Sequence, residues 1–205
     1  MLKTPPELEE RTARQQAVVP YFGLGFRVVT IDRDIYRVIT DQFQRHTHDF
    51  RWECTDKYMG TTNPRSLPTL FYEDRDFNRR LGGKLRPVHE EWCGMRLVDA
   101  SCYGIRVYQR GSFLYNHVDT TNTHVISASI CVDHRLDTPW PLYIEDVEGR
   151  PHEVSLEPGE MLFYESARLK HGRPYPLNGD YYAAMFVHYT PEGYDPPSAR
   201  HTVER

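Results

Sequence analysis

The 205-residue sequence predicts a mainly β chain, with helices in the first hundred residues and then a β-sandwich or barrel of about 90 residues. Three observations carry this reading. Apolar residues recur at helical spacing around residues 35–43. From Tyr103 onward, short runs rich in β-branched and aromatic residues follow one another. Turn formers separate those runs: RGS, DTPWP, EGRP, EPGE and PYPLNGD.

Taken in order, TPPELEERTARQQAVV opens with Pro and carries acids in its first turn, as a helix start does. In DRDIYRVITDQFQRH, Ile35, Val38, Ile39 and Phe43 fall at i, i+3, i+4 and i+8, one apolar helical face. YMGTTNPRSLPTL reads as a loop. A further helix starts at Asp74 or Asp76 and runs toward Trp92, with Gly82-Gly83 as a point where it splits. Strands then follow in YGIRVYQ, HVISASICV, PLYIED, HEVSL, EMLFYES and DYYAAMFVHY. The expected organisation is a single domain, 1–205: residues 1–100 mostly helical, 101–191 the β core and 192–205 a loose tail.

Composition narrows the function. A net charge of −4 with no basic block argues against a nucleic-acid partner. No apolar run approaches the roughly 20 residues of a membrane span, and the polar N-terminus lacks the apolar core of a secretory signal. Cys54, Cys93, Cys102 and Cys131 are scattered without a CxxC, so reduced thiols in a cytoplasmic protein are expected, not disulfides or a zinc site.

The stretch LYNHVDTT holds His117 and Asp119 one residue apart. In an extended segment residues two apart point the same way. A later His, His171, follows the strand EMLFYES. Two imidazoles and one carboxylate can occupy one face of an iron octahedron and leave three positions open. That donor set suits Fe(II), whereas a structural zinc site usually includes Cys.

Ordered along the chain, Tyr108-x-x-Gly111, His117-x-Asp119, Pro158-Gly159-Glu160-Met161-Leu162-Phe163 and His171 make a pattern. With it, the segment from about Tyr103 to Pro191 resembles the iron(II)- and 2-oxoglutarate-dependent dioxygenases. The nearest branch is the prolyl 4-hydroxylases, including the hypoxia-sensing prolyl hydroxylases. The resemblance implies a double-stranded β-helix, a jelly-roll variant, packed against N-terminal helices. It implies Fe(II) on His117, Asp119 and His171, with 2-oxoglutarate and O2 as co-substrates, ascorbate as an accessory, and Tyr108 as a co-substrate contact. It further implies hydroxylation of a C–H bond in a prolyl or peptidyl, amino-acid or small-molecule substrate, giving succinate and CO2. Related halogenases leave the carboxylate position vacant, so Asp119 points to hydroxylation.

One piece departs from the pattern. The branch places Arg or Lys nine or ten residues after the second His, to pair with the far carboxylate of 2-oxoglutarate. Asp180 and Tyr181 stand there, and an inward Asp would repel the co-substrate. Strand parity offers substitutes: if Tyr108 faces the lumen so does Arg106, and if His171 does so does Arg173. A lumenal guanidinium calls for an anion, which its fork holds by two parallel hydrogen bonds.

Two other readings stay open. One is a catalytically silent β-sandwich that binds a metal or ligand. The other is a cupin-type metalloenzyme without 2-oxoglutarate, for which His124 is the nearby extra ligand. His134 is not expected to be a ligand, His152 and His188 are expected to face solvent or fill core, Trp140 to pack in the core, and Glu165 and Arg168 to lie in a solvated loop or form an ion pair. Gly111 and Gly159 are turn glycines.

Overall fold

The computed structural model describes residues 1–53 and 57–196. Cys54 and tail residues 197–205 lie outside them, and so do the expectations placed on them. The N-terminal part holds helix α1 (Pro6–Val18), strand β1 (Phe26–Thr30), helix α2 (Arg33–Arg45), strands β2 (Arg51–Trp52), β3 (Met59–Thr61) and β4 (Thr69–Tyr72), and helix α3 (Arg75–Cys93). Strand β5 (Leu97–Cys102) leads into β6 (Ile105–Gln109), β7 (Ser112–His117), β8 (Ile126–Leu136) and β9 (Leu142–Glu145). Strands β10 (Pro151–Val154), β11 (Glu160–Tyr164), β12 (His171–Arg173) and β13 (Gly179–Pro191) complete the chain.

The helices have local causes. Pro5 and Pro6 open α1, whose first turn carries Glu7 and Glu9. Asp32 caps α2 by accepting from the backbone N–H groups of Asp34 and Ile35. Asp74 caps α3 by accepting from Phe77 N, and Gly94 ends it in the left-handed region. Gly82-Gly83 does not split α3, because the helix buries Phe77, Leu81, Gly82 and Leu85 along one side. Val38 leaves the expected apolar face of α2 and is 41% exposed, while Ile39 is fully buried.

The expectation of mostly helix up to residue 100 needs correction, since β1 to β5 begin there too. The stretch read as a loop carries β3 and β4. Strands of three or four residues are too short for a period-2 pattern to stand out among turn formers.

Strands β6 to β13 are shared four and four between two antiparallel sheets, as in an eight-stranded jelly roll. One sheet runs β1-β11-β8-β13-β6-β4-β2, with β5 on the end of β13. The other runs β10-β9-β12-β7-β3. Parity along the large sheet divides its residues. Ile105, Val107, Met161, Phe163, Ala183 and Met185 pack with Ile39, Phe77, Leu81 and Leu85 in a core beneath α2 and α3. Their strand neighbours Tyr108, Leu162, Tyr164, Tyr182 and Ala184 face the other sheet, with Leu142 and Ile144. Tyr108, Leu142 and Tyr164 of this second core also line the site.

Candidate metal centre and its cavity

His117 ends β7 and His171 begins β12, and the two are register partners across that pair. Each ring bonds through Nδ1 to a carbonyl two residues back, His117 to Tyr115 and His171 to Leu169, both at 2.8 Å. A carbonyl only accepts, so Nδ1 carries the proton and Nε2 keeps its lone pair. Those Nε2 atoms lie 3.5 and 3.8 Å from Asp119 Oδ1. The ligand atoms of His117, Asp119 and His171 all fall within 4.8 Å of one another, the one such group among the described residues. Asp119 N donates to Ser166 O at 2.9 Å, which fixes the loop after β7.

Burial alone would raise the Asp119 carboxyl. The imidazoles of His117, His171 and His188 beside it more than offset this and hold the group far below the usual range. Burial pushes His171 down to about 4, with Asp119 opposing. At neutral pH the cluster is therefore one carboxylate and a neutral His171, the protonation states that ligate a cation.

A cavity of about 280 Å³ surrounds these atoms. Tyr58 stacks on His117 at 4.8 Å between ring centroids, and Tyr164 meets His171 edge-on at 4.8 Å. Tyr108 and Arg106 both line the cavity, as shared strand parity requires. The two arginines differ in their partners. Arg106 makes a bidentate pair with Glu53, at 2.7 Å from Nε and 2.5 Å from Nη2. Arg173 is buried, donates from Nη1 to Trp140 O, and packs against the adjacent rings of Trp140 and Tyr182 at 4.5 and 4.3 Å. Its Nη2 makes no hydrogen bond.

Asp180 does not face this space. It pairs on the surface with Arg110 at 3.5 Å and Arg135 at 3.4 Å. Tyr181 donates its hydroxyl to Asp133, and the inward residue on that stretch of β13 is Tyr182.

His124 lies outside the triad group, with Nδ1 engaged by Thr123 Oγ1 at 2.6 Å. His188 is the residue sequence reasoning undervalued. It is buried, lines the cavity, stacks on His124 at 3.7 Å and comes within 4.0 Å of Asp119 Oδ2. Its Nδ1 contacts Ser127 Oγ, which contacts Ser166 Oγ, both at 2.6 Å. Tyr182-x-Ala184-x-Phe186-x-His188 shares one strand face, so the parity that singled out Arg106 also marks His188. Glu165 is neither solvated nor paired with Arg168. It is buried and accepts from the N–H groups of Phe22, Leu24 and Gly25. His134 packs flat on Tyr182 and His152 bonds Asp146 at the surface.

The fold is that of the iron(II)- and 2-oxoglutarate-dependent oxygenases, in its prolyl 4-hydroxylase-like form. A prolyl-4-hydroxylase from Pseudomonas putida superposes with a TM-score of 0.62 at 15% identity, covering 86% of this chain and 98% of its own. A Trichoplax adhaerens prolyl hydroxylase, in complex with a hypoxia inducible factor oxygen degradation domain peptide fragment, gives 0.63 at 12% identity and 98% of both chains. HygX from Streptomyces hygroscopicus, with nickel, 2-oxoglutarate and hygromycin B bound, gives 0.56 at 13% identity, covering 94% of this chain and 90% of that one. No protein-family model matches the sequence, and no curated protein matches it either. Among the described residues no helix is long and apolar enough to cross a membrane, and Cys93, Cys102 and Cys131 are free thiols.

Proposed function

We propose that the protein is an iron(II)- and 2-oxoglutarate-dependent dioxygenase that hydroxylates an unactivated C–H bond. The observation that carries this is the convergence of His117 Nε2, His171 Nε2 and the Asp119 carboxylate on one point inside a jelly roll. Two imidazoles and one carboxylate without a thiol fit Fe(II) and leave positions for a chelating co-substrate. The unpaired Nη2 of buried Arg173 fits the far carboxylate of 2-oxoglutarate, since a buried guanidinium nitrogen without an acceptor is costly. Arg106 already has its carboxylate in Glu53, which favours Arg173 as the anchor.

Bound Fe(II) and 2-oxoglutarate supply the oxidation: one atom of O2 enters succinate as CO2 leaves, and the other enters the substrate C–H bond as hydroxyl. The chain's part is placement. The carbonyls of Tyr115 and Leu169 lock the two imidazole tautomers. Tyr58 and Tyr164 wall the centre and exclude water. Tyr108, edge-on to Trp140 at 5.1 Å, lines the side on which Arg173 lies.

The molecules bound in the neighbours range from a peptide fragment to hygromycin B. A prolyl or peptidyl residue, an amino acid or another small molecule all remain within the proposal. The silent reading rests on the absence of a base at 180 and 181; the buried Arg173 offers a base in their place.

The test is metal stoichiometry by equilibrium dialysis, with succinate release from 2-oxoglutarate as the functional readout. The parent binds one Fe(II) per chain. The His117→Ala/Asp119→Ala double variant binds none and keeps its far-ultraviolet circular dichroism. Stoichiometric iron retained by that variant would contradict the site.

A further inference from the structure

We infer that the substrate is a free α-amino acid, held by its main-chain charges on Arg11 and Gln15 of α1. This deepens the proposed function and rests on it. The cavity of about 280 Å³ must hold co-substrate and reacting group together, and it falls just below the roughly 300–1,000 Å³ typical of drug-sized ligands. A small substrate fits such a space.

Charge then selects the class. Of the three guanidinium groups that line the cavity, Arg173 is given to the co-substrate and Arg106 is neutralised by Glu53. Arg11 has no ion-pair partner among the described residues, and its guanidinium lies 5.6 Å from the centre of the Tyr58 ring. Tyr58 in turn stacks on His117. Arg11 is thus a spare cation one aromatic layer beyond the first metal ligand.

One helical turn on, Gln15 also lines the cavity, and its Oε1 is buried with no donor. Residues four apart on a helix are neighbours, with Cβ atoms about 6 Å apart. The pair therefore offers a carboxylate site beside an N–H acceptor. An α-amino acid carries a carboxylate and an ammonium on one carbon, which matches both groups at once. Its side chain then projects past Tyr58 toward the metal. A residue inside a peptide has no main-chain carboxylate for Arg11 to meet, so its N–H could satisfy Gln15 but its backbone would leave the guanidinium unpaired.

The experiment uses the Fe(II)- and 2-oxoglutarate-loaded protein without oxygen. Its visible charge-transfer band is followed as each of the protein L-amino acids is added, then the N-acetyl N′-methylamide of each. We expect at least one free amino acid to perturb the band and saturate, and its doubly capped form to have no effect. Arg11→Ala should weaken that binding by about 10- to 100-fold, the loss of charge-assisted hydrogen bonds. In aerobic turnover the change should appear in KM more than in kcat, and Arg11→Lys should recover part of it. If capped forms or peptides bind as well as free amino acids, if no free amino acid binds, or if Arg11→Ala binds like the parent, the inference is wrong while the cofactor site stands. If the band never forms, the proposed function falls and this inference falls with it.

Discussion

Arg173 and Arg106 are both lumenal arginines, but only one lacks a carboxylate. The adjacent rings of Trp140 and Tyr182 pack against the Arg173 guanidinium, while Nη2 is left unbonded. Replacing it with Ala should raise the dissociation constant of 2-oxoglutarate about 10- to 100-fold, the range for losing a charged hydrogen-bonded pair. Lys should restore only part, because an ammonium lacks the fork. Arg106→Ala should act differently. It strands Glu53, half-enclosed beside Thr69 Oγ1 at 2.8 Å, and should lower stability more than co-substrate affinity. Separate titrations of binding and of thermal unfolding on each variant would check this contrast. The sequence made both arginines visible through parity alone. It could not rank them, because the deciding partner, Glu53, lies 53 residues from Arg106.

At the scale of elements, β12 is three residues long, yet it carries both His171 and Arg173. Gly172 between them lets the strand lie against β7. A Cβ there would sit 2.6 Å from Asn116 Oδ1 and 2.9 Å from the Leu114 and Tyr115 carbonyl oxygens. Gly172→Ala should therefore push β12 off its partner, tilt His171 and weaken Fe(II) binding about 10- to 100-fold; unchanged iron affinity would show that β12 is not held this tightly. Neither β12 nor β7 was read as a strand from the sequence. HGR is too short to show periodicity, and RGSFLYNH runs straight out of a turn. The long strands β8 and β13 were legible because most of their residues are buried and their sequences are rich in β-branched or aromatic residues. Helix α3 adds a pH dependence. His89 is fully buried between Phe163 and Tyr189, its Nδ1 bonds Leu85 O at 2.8 Å, and burial lowers its pKa to about 4. The unfolded chain takes up that proton near pH 6.5 and the folded one only near 4. The stability is thus fully present above about pH 6.5, is lost as pH falls toward 4, and changes no further below it. Its size is about 3 kcal/mol at 1.36 kcal/mol per pH unit. Denaturant unfolding across this window should show the slope in the parent and one fewer proton in His89→Phe.

For the whole molecule, the helices and the large sheet form one core, and the two sheets form a second that ends at the metal centre. Ligands come from β7, the loop after it and β12, so the site exists only in the folded chain. Binding to the native state alone must stabilise it by mass action. Fe(II) at about 100 times its dissociation constant should contribute about 2.7 kcal/mol, a rise of roughly 5–10 °C in Tm for a domain of this size. Chelation should reverse that rise in the parent and leave the His117→Ala/Asp119→Ala variant unmoved. The β architecture was legible in the strand and turn pattern, and the triad through the ordered motifs that resemble those of the dioxygenases. The reach of α1 across the cavity mouth was not, since Arg11 and Gln15 lie on a polar helix that reads as solvated until its packing is known.

The most direct measurement is an anaerobic titration of metal-free protein, first with Fe(II) and then with 2-oxoglutarate, followed in the visible region. The account predicts a weak charge-transfer band that saturates at one co-substrate per chain, fails in the triad variant and needs far more 2-oxoglutarate in Arg173→Ala. Iron binding with no band at any 2-oxoglutarate concentration would contradict it.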